Sequence, residues 1–152
     1  MGRFDPPHLG HSYMIERADT HCDELVVFVN SSVERDAIPG GLRARWLADL
    51  HPEVRVEELR HSLATDFDDE ALWQRWMDLF RSNWPHDDGP HVVFSSDPYV
   101  DELALRFEAT AIVVDPDRSA VPISATMIRT DPGAHLHLVA PEVRAWIEQN
   151  WL

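Results

Sequence analysis

Residues 91–114 read HVVFSSDPYVDELALRFEATAIVV. A short apolar run from His91 to Phe94, with Ser95 and Ser96 behind it, is followed by Tyr99–Phe107, where Val100, Leu103, Ala104 and Phe107 recur at helical spacing; Ala109–Val114 is a second apolar run. Continuous Val/Ile/Phe runs of this length suit strands buried on both faces, and the 3.6-residue spacing suits a helix with one apolar side. Strand, helix and strand in so short a span make a βαβ unit, with parallel strands and a right-handed crossover.

The same alternation extends in both directions. Leu25–Val29 and Val54–Leu59 read as further strands. His11–Asp19, Leu42–Leu50, Asp69–Arg81 and Pro141–Trp151 carry apolar residues at helical spacing. The acidic start at Asp69 suits a helix dipole, and Pro141 suits a first helical turn. The expected fold is α/β, a Rossmann-like doubly wound parallel sheet of about five strands with flanking helices, forming one domain over residues 1–152. Ligands in such sheets bind beyond the carboxyl ends of the strands, so the residues that follow each strand are the ones to question.

Composition narrows the chemistry. The chain has 152 residues, 44% hydrophobic and 26% charged, enough to bury a core. Acidic residues number 27 against 13 basic ones, a formal net charge of −14. That balance disfavours non-specific binding to nucleic acid or membrane surfaces. Every basic residue is Arg, so a lysine Schiff base and a P-loop lysine are excluded, and phosphate would be bound by Arg, His or backbone amides. Cys22 is the one cysteine and reads as ordinary packing. With no membrane-length apolar run, a cytoplasmic location is expected.

Two motifs could carry chemistry. Gly2-Arg3-Phe4-Asp5-Pro6-Pro7-His8-Leu9-Gly10-His11 places two imidazoles around a glycine at the start of a helix. Helix N-termini attract phosphate, Gly10 permits close backbone approach, and imidazoles donate hydrogen bonds without lysine. As residues alone, the stretch also reads as a proline-rich turn. Ile123-Ser124-Ala125-Thr126-Met127-Ile128-Arg129 follows Pro122 and reads as another helix start, with Ser124 as cap and Thr126 and Arg129 as further donors. Alone, it reads more simply as a plain cap with a surface arginine. No metal-ligand spacing accompanies either motif. His51, His61, His86, His91, His135 and His137 read as solvated, and Trp46, Trp76, Trp84, Trp146 and Trp151 as packing.

Together, G-x-F-D-P-x-H-x-G-H and I-S-x-T-x-I-R resemble the nucleotidylyltransferase superfamily. The chain is similar over nearly its whole length to nicotinamide-mononucleotide (NMN) adenylyltransferases, above all the adenylyltransferase domain of NadR-type proteins. Leu42-Arg43-Ala44-Arg45-Trp46-Leu47, Trp73, Phe94-Ser95-Ser96-Asp97-Pro98-Tyr99 and Pro141-Glu142-Val143-Arg144 add to the likeness. The resemblance implies adenylyl transfer from ATP to NMN, giving NAD and pyrophosphate, with Mg²⁺ accompanying ATP and homo-oligomers common among relatives. It implies His8, His11 and Arg129 as catalytic residues. Phe4, Gly10, Ser124 and Thr126 would join them around ATP, and Arg3, Arg43, Trp73 and Asp66 would contact NMN. A phosphopantetheine, FMN or phosphorylated-alcohol acceptor, or a catalytically silent nucleotide-binding module, remains the alternative. In the family the glycine–phenylalanine motif follows a central apolar strand. Here Met1 directly precedes Gly2, so that strand is expected to be missing, with its neighbours' edges left unpaired.

Overall fold

Strands and helices alternate along the chain as the apolar runs dictate, and the computed structural model describes all 152 residues, Met1–Leu152. The order is α1 (Leu9–Asp19), β1 (Val26–Ser31), α2 (Gly40–Leu50), β2 (Arg55–Arg60), α3 (Glu70–Asn83), β3 (Val92–Ser95), α4 (Val100–Phe107) and β4 (Thr110–Val113). Three short or terminal helices close it: α5 (Ala125–Thr130), α6 (Pro132–His135) and α7 (Pro141–Asn150). Asp69 caps α3 by accepting from the Leu72 amide, and Ser124 caps α5 by accepting from Met127. No helix is long and apolar enough to cross a membrane.

The strands pair in parallel, but in two separate sheets. β1 runs beside β2 with Val26 opposite Arg55 and Ser31 opposite Arg60, and β3 runs beside β4 with Val92 opposite Thr110. The expected single sheet is interrupted between β1 and β3. On the edge of β1 away from β2, Gly2 makes a one-residue parallel bridge to Val29. Its amide donates to Phe28 O at 3.0 Å, and its carbonyl accepts from Asn30 at 2.8 Å. Behind this bridge lies a cavity of about 530 Å³ walled by Val26 and Phe28 on one side and Val92 and Phe94 on the other. Burial lowers the Met1 amino group to about 6, since charge there has lost its water.

Side chains join what the backbone leaves apart. Phe28 and Leu59 from the first sheet pack with Trp73, Met77, Phe80, Val93, Leu103 and Phe107 in one core. A second core holds Ile38, Trp46, Ile123, Ile128, Val143 and Ile147, under the carboxyl-terminal helices. Phe4, Ile15, Val27, Val29, Leu47 and Val54 form a third beneath α1 and α2. His51, expected to be solvated, is instead buried and bonded to Ser12 Oγ at 3.1 Å. It caps the end of α2, where burial lowers its pKa.

Parallel register fixes what would complete the gap. Phe28 already uses its carbonyl toward Gly2, so its N–H and the Val26 carbonyl face the same side and come next in line. Adding four β-branched apolar residues ahead of Met1 should therefore raise the Tm by about 5 °C and slow exchange of the Phe28 amide. Thermal scans with hydrogen exchange check this; an unchanged Tm and unprotected amide would show that the edges gain nothing from pairing.

Candidate active site

A second cavity, of about 470 Å³, opens at the carboxyl ends of the strands. Its wall begins at the N-terminus of α1. His8 is the N-cap residue, with extended backbone, and His11 is the third residue of the helix. The His11 amide donates to His8 Nδ1 at 3.3 Å, and the His8 amide donates to His11 Nδ1 at 3.2 Å. This is a capping box built from two histidines rather than Ser and Glu. A nitrogen that accepts cannot carry the proton, so both neutral rings are Nε2–H tautomers. The rings lie stacked, 3.6 Å between centroids and 16° from coplanar. A Cβ on Gly10 would stand 3.1 Å from the His8 ring, so the glycine is what lets the ring lie there. Phe4 backs the pair, its ring 4.8 Å from His11 edge-on, and is held at a φ of 53°.

His8 is almost fully buried, and its Nε2 has no hydrogen-bond partner. An orphaned donor of this kind costs about 1–3 kcal/mol unless something fills it. Burial, and then the charge of Arg118, lower His8 to about 4; burial, His8 and Arg118 hold His11 well below the usual histidine range. Both rings are thus neutral donors at pH 7.

The second motif meets the first across the cavity. Arg129 Nη1 donates to Asp5 O and its Nη2 to Thr126 Oγ1 at 3.2 Å. Asp5 is itself buried, its carboxylate accepting from the Ala37 and Ile38 amides at 2.9 and 3.0 Å. Ser124 and Thr126 line the same wall, as do Arg3, Asp66 and Trp73. Arg3 is half exposed and pairs with Asp5 and Asp36. Asp66 accepts from the Asp68 amide at 3.0 Å.

One expected position differs, and Trp73 is shared between cavity and core. Arg43 does not reach the cavity. It is fully buried and donates to Ile38 O at 2.8 Å, to Arg3 O and to the Asp36 carboxylate. Its guanidinium is spent on holding the β1–α2 loop against the first motif. Trp73 lines the cavity but belongs equally to the core. Arg106 lies 4.6 Å over its ring, and its Nε1 donates to Phe67 O at 3.0 Å. The exposed ring beside it is Phe67, stacked 6.0 Å from Tyr99. Sequence reasoning missed Phe67, Asn30 and Arg118, which line the cavity, and carried Asp97 and Tyr99, which line it too, only within the stretch Phe94–Tyr99. Asn30, Asp97 and Arg118 sit at or just after carboxyl ends of strands, which was the available signal.

Against known proteins, the family model described as cytidylyltransferase-like matches residues 1–131. The chain belongs to the cytidylyltransferase-like family. It is a nucleotidylyltransferase-type domain, and the parallel strands flanked by helices are the fold such domains share. Among its relatives, the trifunctional NAD biosynthesis/regulator protein NadR of Escherichia coli (strain K12) is 24% identical over 172 residues, covering 94% of this chain and 38% of that protein. The nicotinamide-nucleotide adenylyltransferase of Pyrobaculum neutrophilum is 31% identical over 103 residues, covering 65% of this chain and 56% of that enzyme. A solved structure of a NadR protein in complex with NR superposes with a TM-score of 0.68 at 22% identity, over 91% of this chain and 41% of that one. This cytidylyltransferase-like chain thus spans well under half the length of the NadR proteins it matches.

Two outcomes follow from the buried charges. The unfolded chain protonates His8 near its ordinary 6.5, the folded chain only near 4. Stability is therefore fully present above about pH 6.5 and is lost as pH falls toward 4. His8→Asn, which can still cap, should flatten that part of the Tm-against-pH curve. Arg43→Met should destabilise the fold by about 3 kcal/mol, because it strips the nearly buried Asp36 carboxylate of its buried partner, leaving only half-exposed Arg3 at 3.3 Å, and strands the carbonyls that Arg43 serves. Denaturant titration checks the second; a loss below 1 kcal/mol would show that Arg43 is no strut.

Proposed function

We propose that this domain transfers the adenylyl group of ATP to the 5′-phosphate of NMN. A phosphate oxygen of NMN attacks the α-phosphorus, the bond from that phosphorus to the bridging oxygen breaks, and the electron pair leaves on pyrophosphate, giving NAD. The observation that carries the reading is the unpartnered Nε2–H of His8 beside the stacked His11, at a helix N-terminus open to the cavity. Neutral Nε2–H donors suit charge that builds on non-bridging and leaving oxygens. The attacking phosphate is already an anion, so no general base is needed. The chemistry reduces to aligning two polyanions and stabilising the transition state.

The rest of the cavity supports the assignment. Arg129 and Arg3 supply fixed positive charge along the wall, with Ser124 and Thr126 beside Arg129. Phe67, Trp73 and Tyr99 offer flat faces for a heteroaromatic ring. The names of the relatives, NAD biosynthesis/regulator protein and nicotinamide-nucleotide adenylyltransferase, fit the same substrates. Mg²⁺ would travel with ATP. The Asp5 and Asp115 carboxylates are taken up by backbone amides, so the cavity fits an ion carried by phosphate oxygens and water rather than by a protein cage. When bound, it neutralises charge on the triphosphate.

NAD formation from ATP, Mg²⁺ and NMN tests the proposal, with the deamidated nucleotide, phosphopantetheine and FMN as competing acceptors. His11→Gln, which preserves the capping contact, should lower kcat about 100-fold or more with the fold intact. Product only from another acceptor would reassign the substrate, and full activity in His11→Gln would remove that ring from the chemistry.

A further inference from the structure

Arg106 does not line the cavity, but it holds a ring that does. It lies in the last turn of α4, where its Nε donates at 2.7 Å to Glu102 Oε1, one turn back on the same helix. Its two terminal nitrogens reach across to α3 and fork onto Glu70, Nη1 to Oε1 at 2.9 Å and Nη2 to Oε2 at 2.7 Å. Gln74 Nε2 donates to Glu70 Oε1 as well, at 3.0 Å. Glu70, Trp73 and Gln74 stand at i, i+3 and i+4 on α3, so they share one face of that helix. The fork therefore lays the guanidinium over Trp73, 4.6 Å from its ring centroid.

A lone surface ion pair orders little, because two long side chains must be held in one geometry. This pair is bidentate, its third donor is tied to a second carboxylate, and the arginine side chain is only 17% exposed. The fork from Arg106, and then Gln74, lower the Glu70 carboxyl to about 2, so the pair stays ionised throughout the neutral range. The Trp73 indole is fixed a second time by its own N–H, which donates to Phe67 O at 3.0 Å. That bond ties the loop between β2 and α3 to the ring, and the loop carries the exposed Phe67 into the cavity wall. Trp76, three residues on, holds the same loop by donating to Ala64 O at 2.9 Å. Two carboxylates, a guanidinium, an indole and a loop aromatic are thus linked in series, and the last two line the cavity.

We infer that Arg106 is a positioning residue of this cavity: from outside it, the guanidinium holds the Trp73 indole, and through it Phe67, in the place that receives a flat heteroaromatic ring. The inference rests on the nucleotide-transfer reading, in which that ring is the acceptor's nicotinamide. A platform already in place need not be ordered when the ring arrives, so the effect falls on binding of the acceptor rather than on the phosphate chemistry.

Acrylamide quenching of indole emission tests the ring directly, with Trp73→Phe subtracted to isolate Trp73 among the six tryptophans. Arg106→Gln keeps a polar stem but loses the charge and the fork. It should raise the quenching constant of Trp73 at least twofold; an unchanged constant would overturn the positioning role. With saturating ATP and Mg²⁺, its KM for NMN should rise at least fivefold while kcat and the KM for ATP stay within twofold. Equal rises for both substrates would mark a general loosening and overturn the inference. Arg106→Lys, which keeps the charge without the fork, should recover part of the loss. In Trp73→Phe the indole N–H and its hold on Phe67 are already gone, so Arg106→Gln should change the KM for NMN far less there. An equal effect in both backgrounds would show that Arg106 does not act through Trp73. If the native chain makes no NAD while the quenching constant shifts as expected, adenylyl transfer to NMN falls and the clamp on the ring stands.

Discussion

Two backbone amides donating to two imidazole nitrogens fix the tautomers and placing of the histidine pair. A helix start normally needs a side-chain oxygen to satisfy its first N–H groups. Here His8 and His11 do that work with Nδ1, and in doing it they are forced to carry their protons on Nε2. A structural requirement of α1 and a chemical requirement of the cavity are met by one arrangement. The arrangement in turn needs Gly10, whose missing Cβ makes room for the His8 ring, and Phe4, which stands behind His11. It also needs the second motif to reach across the cavity through Arg129 to Asp5.

The arginines show how a chain of net charge −14 presents a cationic cavity. Among the thirteen guanidiniums three uses stand out. Some, such as Arg55, Arg60 and Arg144, pair with surface carboxylates. Arg43 is buried as a strut against Asp36 and a set of carbonyls. Arg3, Arg118 and Arg129 face the cavity with donors to spare. With no lysine present, the cavity's positive charge is carried by planar guanidinium forks, whose paired donors match phosphate oxygens.

The elements were legible in the sequence to within a residue or two, because Val/Ile/Phe runs and helical apolar spacing report local geometry directly. The cap at Ser124 and the acidic start at Asp69 were legible for the same reason. The site was legible where a short motif closes on itself, as from His8 to His11. It was not legible where function depends on whether a donor is already spent. Arg43 and Arg118 are equivalent as letters; one is consumed by carbonyls that only tertiary packing brings to it, and the other is aimed outward by a loop held through Asp115. Trp73 illustrates the same limit. Its spacing marks a buried helix face and its position a cavity wall, and both are true. His51 was misread because nothing local signals that Ser12 will stand beside it.

The interruption between β1 and β3 has a consequence for cooperativity. A continuous sheet transmits folding along its ladder of backbone hydrogen bonds. In this molecule both bonds of Gly2 run to β1, and no ladder joins β1 to β3. The halves are therefore coupled through interdigitated apolar groups, chiefly Phe28 and Leu59 set among the rings of Trp73, Phe80 and Phe107. Packing of that kind is short-ranged and sensitive to volume, so trimming one methylene from this bridge loosens the link between two otherwise separable folding units. The cleft that holds the histidine pair straddles that seam, and its width is set by how well those few rings fit.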